Sequence, residues 1–396
     1  MFTSRFNKAI VILGLIFISI SLLACGGGAA VPPTEPPAVQ PPLVEAAPSE
    51  AAEAAPVEPS PTPEPTATSA PTATPELLPT PTLLPVGMRR SNPYPAGELV
   101  SAPNWDVQVL EVKRGEAAWA DLVAYFSENP APPAGKEYLL LKLRVKSTYS
   151  DSEAHRIGAC DFGVTGDSLR LYSCDTVAAF APDPRLDVEL YTGGEAEGWL
   201  VYSIDEGEGN LLLVVQEMNN LAEDRDRFIA LEAGAAVGVP PELAEIQPNG
   251  LGLERAAPAP SSEKVITEDW EIELLEVVRG APAWEMVQAV NQFNEPPADG
   301  MEYINVRVRA RYIGQEDKPQ AIVGYYFAAT GSANVVYDTL FVVPPQPALS
   351  IYLFPGGEFE GWIVKQAAVG ETGMLLIFEP TWDWGGNNKR FISLEP

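Results

Sequence analysis

The chain repeats itself at the scale of a whole domain. The stretch NWDVQVLEVKRGEAAWADLVAYFSENPAPPAGKEYLLLKLRVK begins at Asn104, and DWEIELLEVVRGAPAWEMVQAVNQFNEPPADGMEYINVRVRAR begins at Asp269, 165 residues later and without a gap. Trp105 aligns with Trp270, Arg114-Gly115 with Arg279-Gly280, Trp119 with Trp284 and Glu137-Tyr138 with Glu302-Tyr303. Further on, GGEAEGW (Gly193 to Trp199) pairs with GGEFEGW (Gly356 to Trp362), and RFIALE pairs with RFISLE, now at an offset of 163. A repeat of this length is a tandem domain duplication and not a solenoid, whose units are a few tens of residues. Any fold proposed for one copy must therefore serve both.

Within each copy the apolar pattern is that of strands. Leu139, Leu141, Leu143 and Val145 alternate with Leu140, Lys142, Arg144 and Lys146. The second copy repeats this with Ile304, Val306, Val308 and Ala310 against Asn305, Arg307, Arg309 and Arg311. Period two marks a strand with one buried and one wet face. The runs GWLVYSI, NLLLVVQ and RFIAL are bounded by Gly, Asp, Glu and Asn, as strands are. One helix interrupts each copy: in GEAAWADLVAYFSEN, Trp119, Leu122, Val123 and Phe126 share a helical face. Many short strands with frequent turn signals predict an all-β chain of two tandem antiparallel sandwiches, each with one short inserted helix.

The N-terminal quarter has a different character. Arg5 and Lys8 precede the 16-residue apolar run AIVILGLIFISISLLA, and Cys25-Gly-Gly-Gly follows it. That run is shorter than the roughly 20 residues of a membrane-spanning helix and matches a secretory signal, although an uncleaved anchor helix is the alternative. Leu22-Leu23-Ala24-Cys25 resembles the lipobox of bacterial lipoproteins. The resemblance implies cleavage before Cys25 and a diacylglycerol on its thiol, and two acyl chains anchor a protein stably to a membrane. Residues 31–95 hold 19 of the 40 prolines, and Gly26 to Met88 contains seven glutamates but no lysine or arginine. Such a segment buries too little apolar surface to order itself and reads as an extended spacer, a stalk or simply a linker. Its Thr and Ser residues could carry O-glycans. The predicted organisation is thus 1–24 signal peptide, 25–95 disordered spacer, 96–232 first sandwich, 233–262 linker and 263–396 second sandwich.

The order of motifs in each copy (opening strand, RG…AW helix, PP…G.EY turn, alternating strand, late GG…EGW) resembles the telokin-like, immunoglobulin-like domain of unknown function found in bacterial surface lipoproteins. The resemblance implies a sandwich fold and a surface location, and it transfers no active site.

Charge and cysteine narrow the function. The net charge is −29, with 54 acidic against 25 basic residues. A surface this acidic repels phosphate backbones, so nucleic acid is excluded as a partner. Acidic loops such as APDPRLDVE and DEGEGN lack the spacing of a calcium loop, so no metal site and no cofactor are expected. Cys160 and Cys174 flank a strand–turn–strand candidate, and both are absent from the second copy, which has Tyr325 and Thr339 there. In an oxidising compartment they form a disulfide, with two buried free thiols as the alternative. His155 is the sole histidine and sits in the polar turn STYSDSEAHR, without a nucleophile elbow or phosphate-binding loop elsewhere.

Two features could bind a partner. The basic stripe Lys142, Arg144, Lys146, mirrored by Arg307, Arg309, Arg311, lies on one sheet face. It could grip an anionic wall polymer or pair with acids on neighbouring strands. Trp382 and Trp384 in TWDWGGNNKR replace Asn219 and Leu221 of the first copy. They could stack on sugar rings or fold back over the sandwich end. The expectation is a non-enzymatic, extracytoplasmic, membrane-anchored binding protein, its partner a wall glycan or a surface protein. A ligand-free spacer is the alternative, and a hydrolase is the weakest reading.

Overall fold

A computed structural model describes residues 85–174, 177–216, 226–337, 340–380 and 387–395 of the 396-residue chain. Cys25, the signal and nearly all of the spacer lie outside these residues, as do Trp382 and Trp384. Pro79–Pro396 is one compact unit and contains every apolar cluster among the described residues.

The first copy runs β1 (Leu99–Ser101), β2 (Trp105–Arg114), helix α1 (Gly115–Tyr125), β3 (Lys136–Ser147), β4 (His155–Gly158), β5 (Phe162–Thr165), β6 (Arg170–Leu171), β7 (Asp187–Leu190), β8 (Glu195–Asp205), β9 (Leu212–Val215) and β10 (Arg227–Ala230). The second repeats the order element for element: β11 (Val265–Ile266), β12 (Trp270–Arg279), α2 (Ala281–Val290), β13 (Met301–Tyr312), β14 (Gln320–Val323), β15 (Phe327–Thr330), β16 (Val336–Tyr337), β17 (Ser350–Leu353), β18 (Glu358–Ala368), β19 (Leu375–Phe378) and β20 (Arg390–Ser393). In each copy a four-stranded antiparallel sheet, β1-β2-β3-β8 or β11-β12-β13-β18, faces a second sheet built on β5-β9-β10 or β15-β19-β20. Between the sheets lies one apolar core per copy, around Val107, Leu141, Leu143, Phe162 and Ile229 in the first and Ile272, Val306, Val308, Phe327 and Ile392 in the second. The all-β sandwich expectation holds.

The repeated sequence motifs are the joints of this sandwich. Arg114 pairs with Glu137, and Arg279 with Glu302, tying the helix entry to the start of the central strand. Between them Gly115 and Gly280 take positive φ, where L side chains are strained. The tyrosines that follow those glutamates reach back: Tyr138 donates to the Pro130 carbonyl and Tyr303 to the Glu295 carbonyl. The glycine of EGW is required by a crossing chain. A Cβ on Gly198 would stand 2.5 Å from the Leu186 backbone nitrogen, and one on Gly361 would stand 2.6 Å from that of Leu349. Those crossing segments follow cis peptides at Asp183-Pro184 and Gln346-Pro347 and bond to Trp199 and Trp362.

Three details differ from the pattern read in sequence. The outer face of β3 is not wet throughout, because α1 covers its beginning: Leu140 packs with Ala118, Leu122 and Tyr138. Its counterpart Asn305 is also fully buried and donates to the Ala283 carbonyl of α2. The helix buries Ala118 and Leu122, while Phe126 caps its end and is exposed. The repeat also starts earlier than the tryptophan-anchored match. Gly87 and Gly252 both take positive φ and bond to Phe228 and Phe391, and Tyr94 and Ala259 bridge to β10 and β20. Residues 85–95 and 251–262, placed by composition in spacer and linker, thus continue the sandwiches' hydrogen-bond ladders.

The two sandwiches are joined over a packed interface. Strand β6 of the first pairs with β17 of the second, matching Leu171 with Tyr352 and Arg170 with Leu353, so the sheet β14-β17-β6 crosses the boundary. Phe354 is fully buried against Phe228, Leu171, Val214 and Leu169. Arg90 lies over the Phe354 ring at 4.1 Å and pairs with Asp317 at 2.6 Å, with the guanidinium fully buried. The turn at Pro241–Glu245, in the connector, is itself held by the buried Leu243.

Candidate binding cleft

The basic stripe is neutralised by its neighbours. In the first copy Lys142 and Arg144 share Glu197 on β8, and Lys146 pairs with Glu195. In the second, Arg307 and Arg309 share Glu360, Arg309 also holds Glu273, and Arg311 approaches Glu271 at 3.6 Å. Arg144 stands opposite Glu197, Lys146 opposite Glu195 and Arg309 opposite Glu360, while Lys142 and Arg307 reach the same glutamates diagonally. The side chains form ladders of exposed and partly exposed ion pairs, whose attraction is largely screened by water. His155 is likewise engaged, bonding Asp151 at 2.8 Å and stacking on Tyr149 at 3.5 Å. The acidic loop DEGEGN is structural too: Asp205 holds Lys136 and Arg170, and Glu208 accepts from Tyr172 and the Ser168 amide. Among the described residues no group of three or more His, Cys, Asp or Glu is gathered as a metal site.

Cys160 and Cys174 are disulfide-bonded, with Cα atoms 5.2 Å apart. The bridge forms part of the wall of a cleft of about 1050 Å³ in the first sandwich. The other walls are the crossing segment Asp183–Asp187, the edge of β8 at Trp199–Val201, and the loop around Val177–Ala181. This volume lies at the upper end of those that hold small ligands, about 300–1000 Å³. Its rim is polar and its floor apolar. Arg156 makes a two-pronged contact to Asp187, at 2.6 and 2.9 Å, and Arg185 approaches Asp183 at 3.6 Å. The Arg156 guanidinium holds the Asp187 carboxyl below its ordinary range, so the pair stays charged at neutral pH. Tyr125 donates to Asp183, and its hydroxyl is pushed up by that bond. The floor includes Ala179, Ala181, Leu186 and Leu200, with Trp199 half-buried and Phe180 exposed at the mouth, edge-on to Phe126.

The second copy acts as an internal control. Its equivalent cleft is smaller, about 280 Å³, and is bounded by Gly324, Tyr325, Leu340–Pro344, Ala348–Ser350 and Trp362–Lys365. Where the first copy has Arg156, Asp161, Arg185 and Asp187, the second has Ala321, Tyr326, Ala348 and Ser350. The fold therefore does not need those charges. The copies also differ in length here. Tyr172 and Tyr337 play matching roles at an offset of 165, whereas the Phe180 and Val343 amides donate to the Asn129 and Asn294 side chains at an offset of 163. The two-residue shortening thus falls in the stretch that carries Cys174.

From sequence the two cysteines stood out as a pair, Trp199 as part of the shared EGW motif and residues 181–189 as an acidic loop, but none as part of a cleft. The signal lay in the comparison of copies: APDPRLDVE was read as an acidic loop, yet its Arg185 and Asp187 are replaced by Ala348 and Ser350.

No protein-family model matches the chain, and no curated protein matches its sequence. Solved structures with partial similarity include a candidate lipoprotein of Bacillus subtilis, 12% identical over 34% of this chain and 38% of that one, TM-score 0.25. The yjhA protein of Bacillus subtilis is 16% identical over 35% of this chain and 99% of its own, TM-score 0.25. An uncharacterised β-sandwich protein from Clostridium difficile 630 is 9% identical over 39% of this chain and 100% of its own, TM-score 0.22. The chain thus spans just over a third of the first of these.

Proposed function

We propose that this chain is a lipid-anchored, extracytoplasmic binding protein of the telokin-like type, tethered through Cys25 and presenting its paired sandwiches beyond a proline-rich spacer. The ligand sits in the cleft of the first sandwich. The observation that carries this reading is the copy-specific lining of that cleft: two arginines and three aspartates occur where the duplicate fold manages with Ala, Tyr, Gln and Ser. Paired Arg and Asp at the rim offer donors and acceptors side by side, and Phe180 and Trp199 offer faces for a ring. This chemistry suits a polyol with a ring, such as a wall glycan. It performs recognition and not turnover. The alternative, a spacer without a ligand, is tested by the same experiment.

Residues 79–396 would be sedimented with purified cell envelope of the source organism, beside an Arg156→Ala/Arg185→Ala/Phe180→Ala variant. All three side chains are more than half exposed, so their removal leaves the fold intact. The expected result is pelleting that is lost in the variant. Absence of pelleting, or pelleting unchanged by the variant, contradicts the cleft; a parallel Trp382→Ala/Trp384→Ala variant reports on the other loop. Anchoring is tested separately, by mass spectrometry of the native N-terminal peptide for a diacylglyceryl-modified Cys25.

A further inference from the structure

The second cleft has lost the charges of the first and gained a different one. Strand β18 turns Ile363, Lys365 and Ala367 to the interior, and Ile363 and Ala367 belong to the apolar core. Lys365 between them is 1% exposed and lines the 280 Å³ cleft. Its Nζ donates to the Gly324 carbonyl at 2.9 Å, and no carboxylate lies within ion-pair distance among the described residues. An ammonium has three donors, so two remain for a further partner.

The first copy shows that this cation is not a requirement of the fold. Its counterpart is Tyr202, whose hydroxyl donates to the Ala159 carbonyl, the counterpart of Gly324, at 3.2 Å. A neutral residue fills the same place and satisfies the same carbonyl. Replacing it by lysine buries a charge without a counter-ion, which costs the folded state unless something supplies one. Burial accordingly pulls the Lys365 ammonium down to about 8.

The remaining walls say what the counter-ion is attached to. Val323, Leu340, Val342, Leu349, Trp362 and Val364 are apolar or aromatic, and Ser350 is the other side chain present with a hydroxyl besides Tyr325. We propose that the second cleft is a binding site for a small apolar carboxylate, with the acid paired to Lys365 and the hydrocarbon body against Val323 and Leu349, which pack with Ile363 on the same face of β18. This site is separate from the polar cleft of the first sandwich and stands or falls without it.

Calorimetric titration of residues 79–396 with sodium octanoate and sodium 4-phenylbutyrate, a chain and a ring probe, tests the proposal. Circular dichroism and a cooperative melt confirm that the fragment is folded. At least one acid is expected to bind. A charge-assisted bond is worth roughly tenfold to a hundredfold in affinity, so Lys365→Met and Lys365→Tyr should each weaken binding by that factor. The second variant copies Tyr202 and so keeps the bond to Gly324 as well as the fold. Neutral 1-octanol should bind at least tenfold more weakly than octanoate. Arg156→Ala/Arg185→Ala should leave binding unchanged, because its arginines belong to the other cleft. No heat from either acid at millimolar concentration would overturn the proposal. So would equal binding by the Lys365→Tyr variant, octanol matching octanoate, or loss in the Arg156→Ala/Arg185→Ala variant.

Discussion

Removing the carboxylate of Asp317 tests how firmly the two sandwiches are joined. Asp317 accepts from both the Arg90 backbone amide, at 3.0 Å, and the Arg90 Nε, at 2.6 Å. Arg90 is fully buried, and its two terminal nitrogens have no hydrogen-bond partner among the described residues beyond the facing Phe354 ring. Burial already pulls this guanidinium below its ordinary value, although the Asp317 charge acts to raise it. Asp317→Ala would leave a buried cation with a ring face and no counter-ion. Breaking such a pair costs about 3–5 kcal/mol, and the orphaned amide adds to it. The loss is capped by the stability of the interface itself, since separating the sandwiches returns Arg90 to water. Two readouts cover both outcomes. If the interface persists, urea unfolding should shift its midpoint down by about 2 M for a slope of about 2 kcal/mol/M. If the interface opens, small-angle scattering should show an increased maximum dimension. Arg90→Met/Asp317→Leu, which removes both charges, should lose far less in either assay. An Asp317→Ala variant with unchanged midpoint and unchanged scattering would mean that the pair does not hold the interface, as would a double variant as impaired as the single one.

Other expectations follow from single contacts. Cys160→Ser/Cys174→Ser closes no loop of about 15 residues and should lose about 3 kcal/mol, read as a lower thermal midpoint that reductant no longer affects. Gly198→Ala and Gly361→Ala place a Cβ against crossing backbone, so each should destabilise by more than about 2 kcal/mol in chemical denaturation, whereas Gly238→Ala meets open space and loses less. Lys365 titrates near 8 in the folded protein against 10.5 when unfolded, so the unfolded chain holds the extra proton between those values. Stability should therefore rise with pH from about 8 to 10.5. Lys365→Met should remove that rise and, below pH 8, should stabilise by about 3 kcal/mol. Arg309→Ala disturbs a partly exposed ion-pair ladder and should cost no more than about 1 kcal/mol.

What could be read in the sequence was what both copies share. RG with EY, the paired glycines and EGW recur because each solves a local problem: an ion pair, a positive φ, a crossing chain. Period two marked β3 and β13, since one face of each meets the core. It mis-assigned Leu140, because the covering helix lies elsewhere in the sequence and a strand does not announce what packs on its outer face. The interface was invisible for the same reason: Arg90 and Asp317 are 227 positions apart and belong to different copies, so no repeat pattern links them. The candidate sites reverse the logic, because they lie where the copies disagree. GWLVYSI against GWIVKQA already displays a lysine at an inward strand position, and Arg156 against Ala321 a charge the fold can omit. Resemblance between copies reports folding, and difference between them marks positions free to serve a ligand.

The most direct test of the account is a backbone-amide NMR titration of residues 79–396 with soluble glycan fragments released from the envelope of the source organism. Shift changes are expected to concentrate at Arg156–Asp161, Phe180–Asp187 and Trp199–Val201, with the matching segments of the second copy unmoved. Changes absent throughout, or concentrated on the ion-pair ladders of β3 and β13, would contradict it.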